Sequence, residues 1–289
     1  MTPGTTDGNC MEAAQKTLVY IAGYGRSGST LLGRLIASTG RALDVGEVAM
    51  APLFLYRPKG RCACGTRMTA CPVWGALPQA LRELPRRPAN RHDHAALLRA
   101  ILAVSPQPTI VDSSKTAAAL AFRPIFLSRN LPVRLCLVHL VRDPRAVVWS
   151  VVRDRRTRRD KPSFWRDVLS TAKTSFVWQV ANAAAELQSL WFSPDVIRLR
   201  YDHLVRFGTQ DSLQGILPQG TLEGVTHDSG IGDYHSLGGN AMRNEKTVVV
   251  KLDDAWRTQM PRHLLSLATA LSFPFILRYR FGLRSDRAS

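Results

Sequence analysis

Gly23-Tyr24-Gly25-Arg26-Ser27-Gly28-Ser29-Thr30 is the stretch on which the fold turns. The apolar run Leu18-Val19-Tyr20-Ile21-Ala22 before it reads as a buried strand, and Leu31-Leu32-Gly33-Arg34-Leu35-Ile36-Ala37 after it reads as a helix. A strand, a glycine turn and a helix N-terminus together make a phosphate site. Backbone N–H groups point at the anion, and the helix dipole favours it. The spacing of Gly23, Gly28 and Thr30 approaches the Walker pattern, but Ser29 stands where that pattern needs lysine. Arg26 is the one cation of the turn. The loop is therefore built for phosphate, without the lysine of an ordinary ATP or GTP hydrolase.

A second strand-to-helix junction lies downstream. Val133 to Val141 is apolar, and Arg142-Asp143-Pro144-Arg145 leads into Ala146-Val147-Val148-Trp149-Ser150. Proline is a normal first helical residue, so Arg142 falls at a strand end and Ser150 about two turns into the helix. Arg142 there can grip a phosphate bidentately, or pair with Asp143 or Asp154.

These two pieces resemble the sulfotransferase superfamily that uses 3′-phosphoadenosine 5′-phosphosulfate (PAPS). The turn around Arg26 looks like its 5′-phosphosulfate loop. Arg142 with Ser150 looks like its 3′-phosphate motif. Val111-Asp112-Ser113-Ser114-Lys115, Arg200-Tyr201-Asp202-His203-Leu204 and His235-Ser236-Leu237-Gly238-Gly239-Asn240, followed by Met242-Arg243, fit the bacterial and carbohydrate-type members. So does the segment with Cys62-Ala63-Cys64-Gly65 and Cys71-Pro72-Val73-Trp74. The resemblance runs in order over residues 17–282. It implies a P-loop-like α/β fold and PAPS as donor, with 3′,5′-adenosine bisphosphate (PAP) as product and no metal in the reaction. It also implies that Gly25, Arg26, Ser27, Gly28, Ser29 and Thr30 hold the 5′ end, and that Arg142 and Ser150 hold the 3′-phosphate. Tyr201 falls near the nucleotide, and Asn240 and Arg243 lie in a loop over the 3′ side. Ala241 and Asn244 depart from the commoner form of that loop.

The chemistry asks for a cation where charge grows on the leaving oxygen, and for a base at the acceptor. Arg26 and Lys115 are the candidate cations. Glu47, in Val45-Gly46-Glu47-Val48, is the candidate base. Resembling tyrosyl-protein and carbohydrate-type enzymes use a glutamate at about that distance after the loop. Cytosolic small-molecule members use a histidine, for which His139 is the weaker candidate. Two other classes compete. A P-loop phosphotransferase needs a metal site and a loop lysine. A non-catalytic basic nucleotide-binding protein has no use for Arg26, Glu47 or Lys115.

The chain has 289 residues, 45% of them hydrophobic, enough to bury a sizeable core. Its net charge of +17 favours polyanions or substrates with several phosphates. The densest basic run, Arg153 to Lys161, lacks interleaved aromatics, which argues against nucleic acid. The first sixteen residues do not read as a signal peptide and no apolar run matches a membrane span. With five cysteines, an odd number, these features lead us to expect a cytoplasmic enzyme. The acceptor, a small molecule, carbohydrate, lipid or peptide, is not legible.

Strands are expected at 18–22, 109–112, 134–141 and 196–200, and helices at 29–39, 93–103, 116–128, 144–155, 164–192 and 255–272. The alternation gives a parallel central sheet flanked by helices, in a single domain with inserted loop regions. The expected boundaries are a flexible segment 1–16, the domain 17–282 with a Cys- and Pro-rich loop region at 52–92, and a tail 283–289. Trp165, Val168, Leu169, Ala172, Phe176, Val180, Ala183, Leu187 and Trp191 recur at helical spacing, and the stretch is expected to be a core or lid helix rather than an aromatic ligand box. Glycine-rich 206–245 is expected to cover the nucleotide. Cys62, Cys64 and Cys71 leave zinc, a disulfide and a plain structural loop open. A zinc site needs a fourth ligand, for which His92 or His94 is the candidate. Cys136, within a strand, reads as a small core residue.

Overall fold

A computed structural model describes residues 15–55, 60–117, 120–159, 163–192, 195–208, 226–228, 234–239, 242, 245 and 247–282. Along the chain run β1 (Thr17–Ala22), α1 (Ser29–Ala37), β2 (Ala42–Gly46), α2 (Ala51–Leu55), α3 (Gln79–Arg82), α4 (Arg91–Val104) and β3 (Thr109–Asp112). Next come α5 (Arg123–Asn130), β4 (Arg134–Val141), α6 (Pro144–Arg159), α7 (Phe164–Phe192), β5 (Val196–Arg200) and α8 (Tyr201–Phe207). The chain closes with β6 (Thr226–Asp228), β7 (Tyr234–Leu237), β8 (Thr247–Val249), α9 (Trp256–Gln259) and α10 (Arg262–Arg278).

Six strands form one sheet in the order β5-β4-β1-β3-β2-β7, every neighbouring pair parallel, and β6 and β8 form a separate antiparallel ribbon. The molecule is α/β, with helices on both sheet faces. Strands covered on both faces read as unbroken apolar runs. In β1, Leu18, Tyr20 and Ala22 join one apolar core while Val19 and Ile21 join the other, all of them buried. The four expected strands match β1, β3, β4 and β5. β2 and β7 were not anticipated. Ala42-Leu43-Asp44-Val45-Gly46 is short and interrupted by a buried carboxylate, and Tyr234-His235-Ser236-Leu237 is mostly polar.

Three helix expectations are corrected. The helix expected from residue 116 begins at Arg123, because Lys115 takes a left-handed turn (φ 68°) and Pro124 marks a helix start. The stretch 255–272 is divided at Met260-Pro261 into α9 and α10. The third concerns the facing of α7. Its inward face carries Ser170, Thr171, Thr174, Ser175, Trp178, Asn182 and Gln188, all buried. Trp165, Leu169, Phe176, Leu187 and Trp191 point outward, each more than half exposed. The buried amides explain the inversion: Asn182 Oδ1 meets His139 Nε2 at 2.9 Å, and Gln188 donates to the carbonyl of Ala121. No described helix is long and apolar enough to cross a membrane.

Candidate active site

In a parallel sheet, ligands gather outside the carboxyl ends of the strands, where neighbouring connections leave in opposite directions. Here the chain leaves β1 toward β2 on one side and β4 toward β5 on the other, so that switch point falls between the ends of β1 and β4. The sequence-derived candidates follow the carboxyl ends of the strands. The glycine turn follows β1, Glu47 follows β2, Lys115 follows β3, Arg142 follows β4 and Tyr201 follows β5. Gly238 and Gly239 follow β7.

The turn after β1 is held by steric and polar constraints. Gly23 has φ 114°, and a Cβ there would meet the carbonyl oxygen of Leu140 at 2.6 Å. Its N–H donates to Thr116 Oγ1 at 3.0 Å and its carbonyl accepts from the Thr116 N–H at 3.1 Å, which fastens the turn to the one carrying Lys115. Arg26 has φ 65° and its guanidinium pairs with Asp154 of α6 at 3.0 Å. Gly28 caps α1 at φ 95°, and the Tyr201 ring packs where a Cβ would stand, 2.5 Å from it. A Cβ at Gly25 would meet nothing within 4 Å, so the loop keeps open space there. Ser27 and Ser29 are buried, Thr30 is nearly so, and Ser27 Oγ has no hydrogen-bond partner among the described residues.

Glu47 and Lys115 meet as an ion pair, Lys115 Nζ donating to Glu47 Oε1, with both side chains more than four-fifths buried. A Cβ on Gly239 would lie 2.6 Å from Thr30 Oγ1 and 3.8 Å from Glu47 Oε1, which puts the carboxylate beside the start of α1. Lys115 is presented by a buried network. Asp112 Oδ1 accepts from the Ser114 N–H at 2.9 Å, and Tyr20 donates its hydroxyl to the Lys115 carbonyl at 2.5 Å. Arg123 donates to His94 Nδ1 at 3.1 Å, so the His94 proton sits on Nε2, which donates to Asp112 Oδ2 at 2.7 Å. Sequence reasoning missed this His94–Asp112 support; its signal is only two polar residues inside apolar runs.

Arg142 pairs with neither Asp143 nor Asp154. Asp143 binds Arg145, and Asp154 binds Arg26. Arg142 donates to the carbonyls of Arg26 at 3.0 Å and Asp253 at 2.9 Å, and meets the Asp253 carboxylate at 3.1 Å. Its guanidinium lies over the Tyr201 ring, 4.6 Å from the centroid, and its Nε is buried with no partner among the described residues. A cavity opens here, lined by Arg142, Tyr201, Arg200, Asp253 and Trp256. Ser150 is half-buried on α6. Asn240, Arg243 and most of 206–245 lie outside the described residues.

His139 is a core residue. It is fully buried, bonded to Asn182, and burial pushes its pKa down to about 4. Cys136 is buried as expected, with its thiol pushed up to about 11 by burial. Neither expected histidine joins the other cysteines. His92 is exposed against the ring of Phe126, and His94 is committed to Asp112. The histidine that approaches Cys62, Cys64 and Cys71 is His235, from β7.

This architecture, with a phosphate-type loop after the central strand and charged residues at the other strand ends, is a sulfotransferase-type fold. No protein-family model matches the chain, and no curated protein sequence does. Among solved structures, the chain is similar to the sulfotransferase domain from the curacin biosynthetic pathway. That match has a TM-score of 0.54 at 21% identity and covers 94% of this chain and 100% of that domain. It is also similar to the sulfotransferase domain from the Synechococcus PCC 7002 olefin synthase, with a TM-score of 0.51 at 20% identity, covering 93% of this chain and 96% of that domain.

Proposed function

We propose that the protein is a sulfotransferase that moves a sulfuryl group from PAPS to a hydroxyl or amine of its acceptor. The carrying observation is the Glu47–Lys115 pair set against the start of α1, beside a phosphate-type loop whose cation is arginine. The residues fit the donor. Ser27 Oγ and Arg142 Nε are buried polar atoms without partners among the described residues, one in the loop and one beneath it, and such groups are costly unless a ligand completes them. Gly25, Ser27, Gly28, Ser29 and Thr30, with Arg26, would hold the 5′-phosphosulfate. Arg142 and Ser150 would hold the 3′-phosphate, with Asn240 and Arg243 over it and Tyr201 beside the nucleotide.

When bound, the donor supplies an activated sulfuryl group on a phosphate leaving group. Arg26 and Lys115 oppose the charge that grows on the bridging oxygen. Glu47 takes the proton of the acceptor hydroxyl or amine as the acceptor oxygen or nitrogen bonds to sulfur. For that, Lys115 would have to leave Glu47 and free the carboxylate when the donor is bound. The protein has no need of a metal for these steps. The acceptor enters over loops that differ between such folds, and its class is left to an acceptor screen.

Calorimetry tests the donor. PAP should bind at least about tenfold tighter than AMP, since two charge-assisted contacts are worth roughly 1.5–3 kcal/mol each before losses. Arg142→Ala should erase most of that difference. Equal affinity for PAP and AMP would sink the 3′-phosphate assignment. A larger thermal shift with ATP and magnesium than with PAP would favour a phosphotransferase.

A further inference from the structure

Outside the strand-end site, one cluster of side chains has chemistry that the proposed reaction does not use. The Sγ atoms of Cys62, Cys64 and Cys71 and a ring nitrogen of His235 all lie within 4.8 Å of one another. His235 Nδ1 stands 3.2 Å from Cys71 Sγ and 3.7 Å from Cys62 Sγ. A tetrahedral zinc ion with Zn–S near 2.3 Å and Zn–N near 2.0 Å separates its ligand atoms by about 3.5–3.8 Å. The four atoms thus already surround a volume of the right size. We propose that Cys62, Cys64, Cys71 and His235 form a structural zinc site.

The local backbone is shaped for it. The Cys62 carbonyl accepts from the Gly65 N–H at 2.9 Å, and the Cys62 N–H donates to the Thr66 carbonyl at 3.0 Å. This tight turn brings Cys62 and Cys64 together, and Gly65 (φ 86°) supplies its left-handed residue. The Trp74 N–H points at Cys71 Sγ, 3.5 Å away, and the Trp74 indole donates to the His235 carbonyl at 2.6 Å. These second contacts orient both ligands. Cys62, Cys71 and His235 are buried, while Cys64 is exposed and gives the ion an entry side. Three cysteines and one histidine leave no open position, the pattern of a structural site. On binding, three thiols release their protons to solvent and the neutral imidazole lends its lone pair, leaving one net negative charge. Arg61 and Arg67 pair through their backbones across the same turn, and the Arg61 guanidinium donates to the Gly65 carbonyl at 2.8 Å, which keeps one cation on that turn.

The consequence reaches the strand-end site. β7 is the edge strand of the sheet, held to β2 through Asp44↔Tyr234 and Gly46↔Leu237. Zinc would clamp residues 60–75 onto that edge. Gly238 follows β7 directly, and a Cβ there would lie 2.9 Å from the Glu47 Cβ. The ion would thus fix the edge against which Glu47 rests. The metal assignment itself does not depend on the sulfotransferase reading.

The test is elemental analysis of the full chain purified from zinc-supplemented cells. About one zinc per chain is expected, and the cobalt(II)-substituted protein should show the intense visible bands of a tetrahedral, thiolate-rich site. Cys71→Ser and His235→Ala should each cut the zinc content at least about tenfold, on the scale of a lost ligand, and lower Tm by on the order of 10 °C. Cys136→Ser and His92→Ala should keep the zinc. Folded wild-type protein without zinc, whose Tm does not rise when zinc is added, would overturn the proposal. So would a Cys62–Cys71 disulfide in protein purified without oxidant, or an octahedral cobalt spectrum. Should the variants fail to fold, the wild-type stoichiometry and cobalt spectrum decide.

Discussion

At the scale of the residue, the proposed base can be separated from its rival. Glu47 stands next to Lys115 at the strand-end edge, whereas His139 is sealed in the core and neutral at pH 7. Glu47→Gln is nearly isosteric. It should preserve the fold and PAP affinity while lowering turnover by about a hundredfold or more, the scale of a lost general base. His139→Ala should act through stability instead, shifting Tm and leaving turnover per folded molecule nearly unchanged. Near-normal turnover in Glu47→Gln would remove the carboxylate from the mechanism. As candidates, Arg26, Lys115 and Arg142 were legible because each follows a strand that an apolar run reveals, while Glu47, which follows the unanticipated β2, was read only from its distance after the glycine turn. Their partners were not. Arg142 with Asp253, and Arg26 with Asp154, are tertiary pairs across more than a hundred residues. His235 was quoted only as part of a glycine motif. Nothing local says that β7 lies against the loop of Cys62 and Cys71, so the two weaker histidines stood in its place.

At the scale of the element, β1, the turn and α1 work as one piece. Gly28 is both the left-handed cap of α1 and the floor on which the Tyr201 ring lies. Gly28→Ala therefore faces two obstacles, a strained φ and a Cβ 2.5 Å from ring carbons. It should weaken PAP binding at least about tenfold and lower stability by roughly 1–3 kcal/mol, measured by calorimetry and denaturant unfolding. Gly25→Ala, where nothing crowds a Cβ, should leave stability nearly unchanged while hindering the donor. Equal, mild effects from both would mean that the turn does not carry the phosphosulfate. The long strands were readable because burial on both faces leaves an apolar run. The facing of α7 was not, because much of its buried side is polar, and Asn182 and Gln188 there bond to His139 and Ala121, partners that only the fold supplies. Periodicity identified a stripe, and tertiary hydrogen bonds decided which way it points.

At the scale of the whole molecule, the charge of +17 acts on encounter rather than on chemistry. Part of it is arranged around a surface pocket lined by Arg155, Arg156, Arg166 and Lys173. Asp154, the partner of Arg26, is the residue next to Arg155, so this basic rim adjoins the phosphate-type loop. A donor carrying a phosphosulfate and a 3′-phosphate is steered by such a field, and salt screens it with a Debye length of about 8–10 Å near physiological ionic strength. We therefore expect kcat/KM for PAPS to fall by about threefold to tenfold as ionic strength rises from about 0.05 to 0.3 M. kcat, which reports steps after binding, should change much less. Arg166→Glu with Lys173→Glu should lower kcat/KM at low salt and flatten the dependence, because the rim then repels the donor. Both residues lie on α7, outside the loop, so the contacts proposed for Arg26 and Arg142 are untouched. An unchanged slope in the double variant would assign the steering to charge elsewhere on the surface. A flat profile in the wild type would mean that the basic excess plays no part in donor capture.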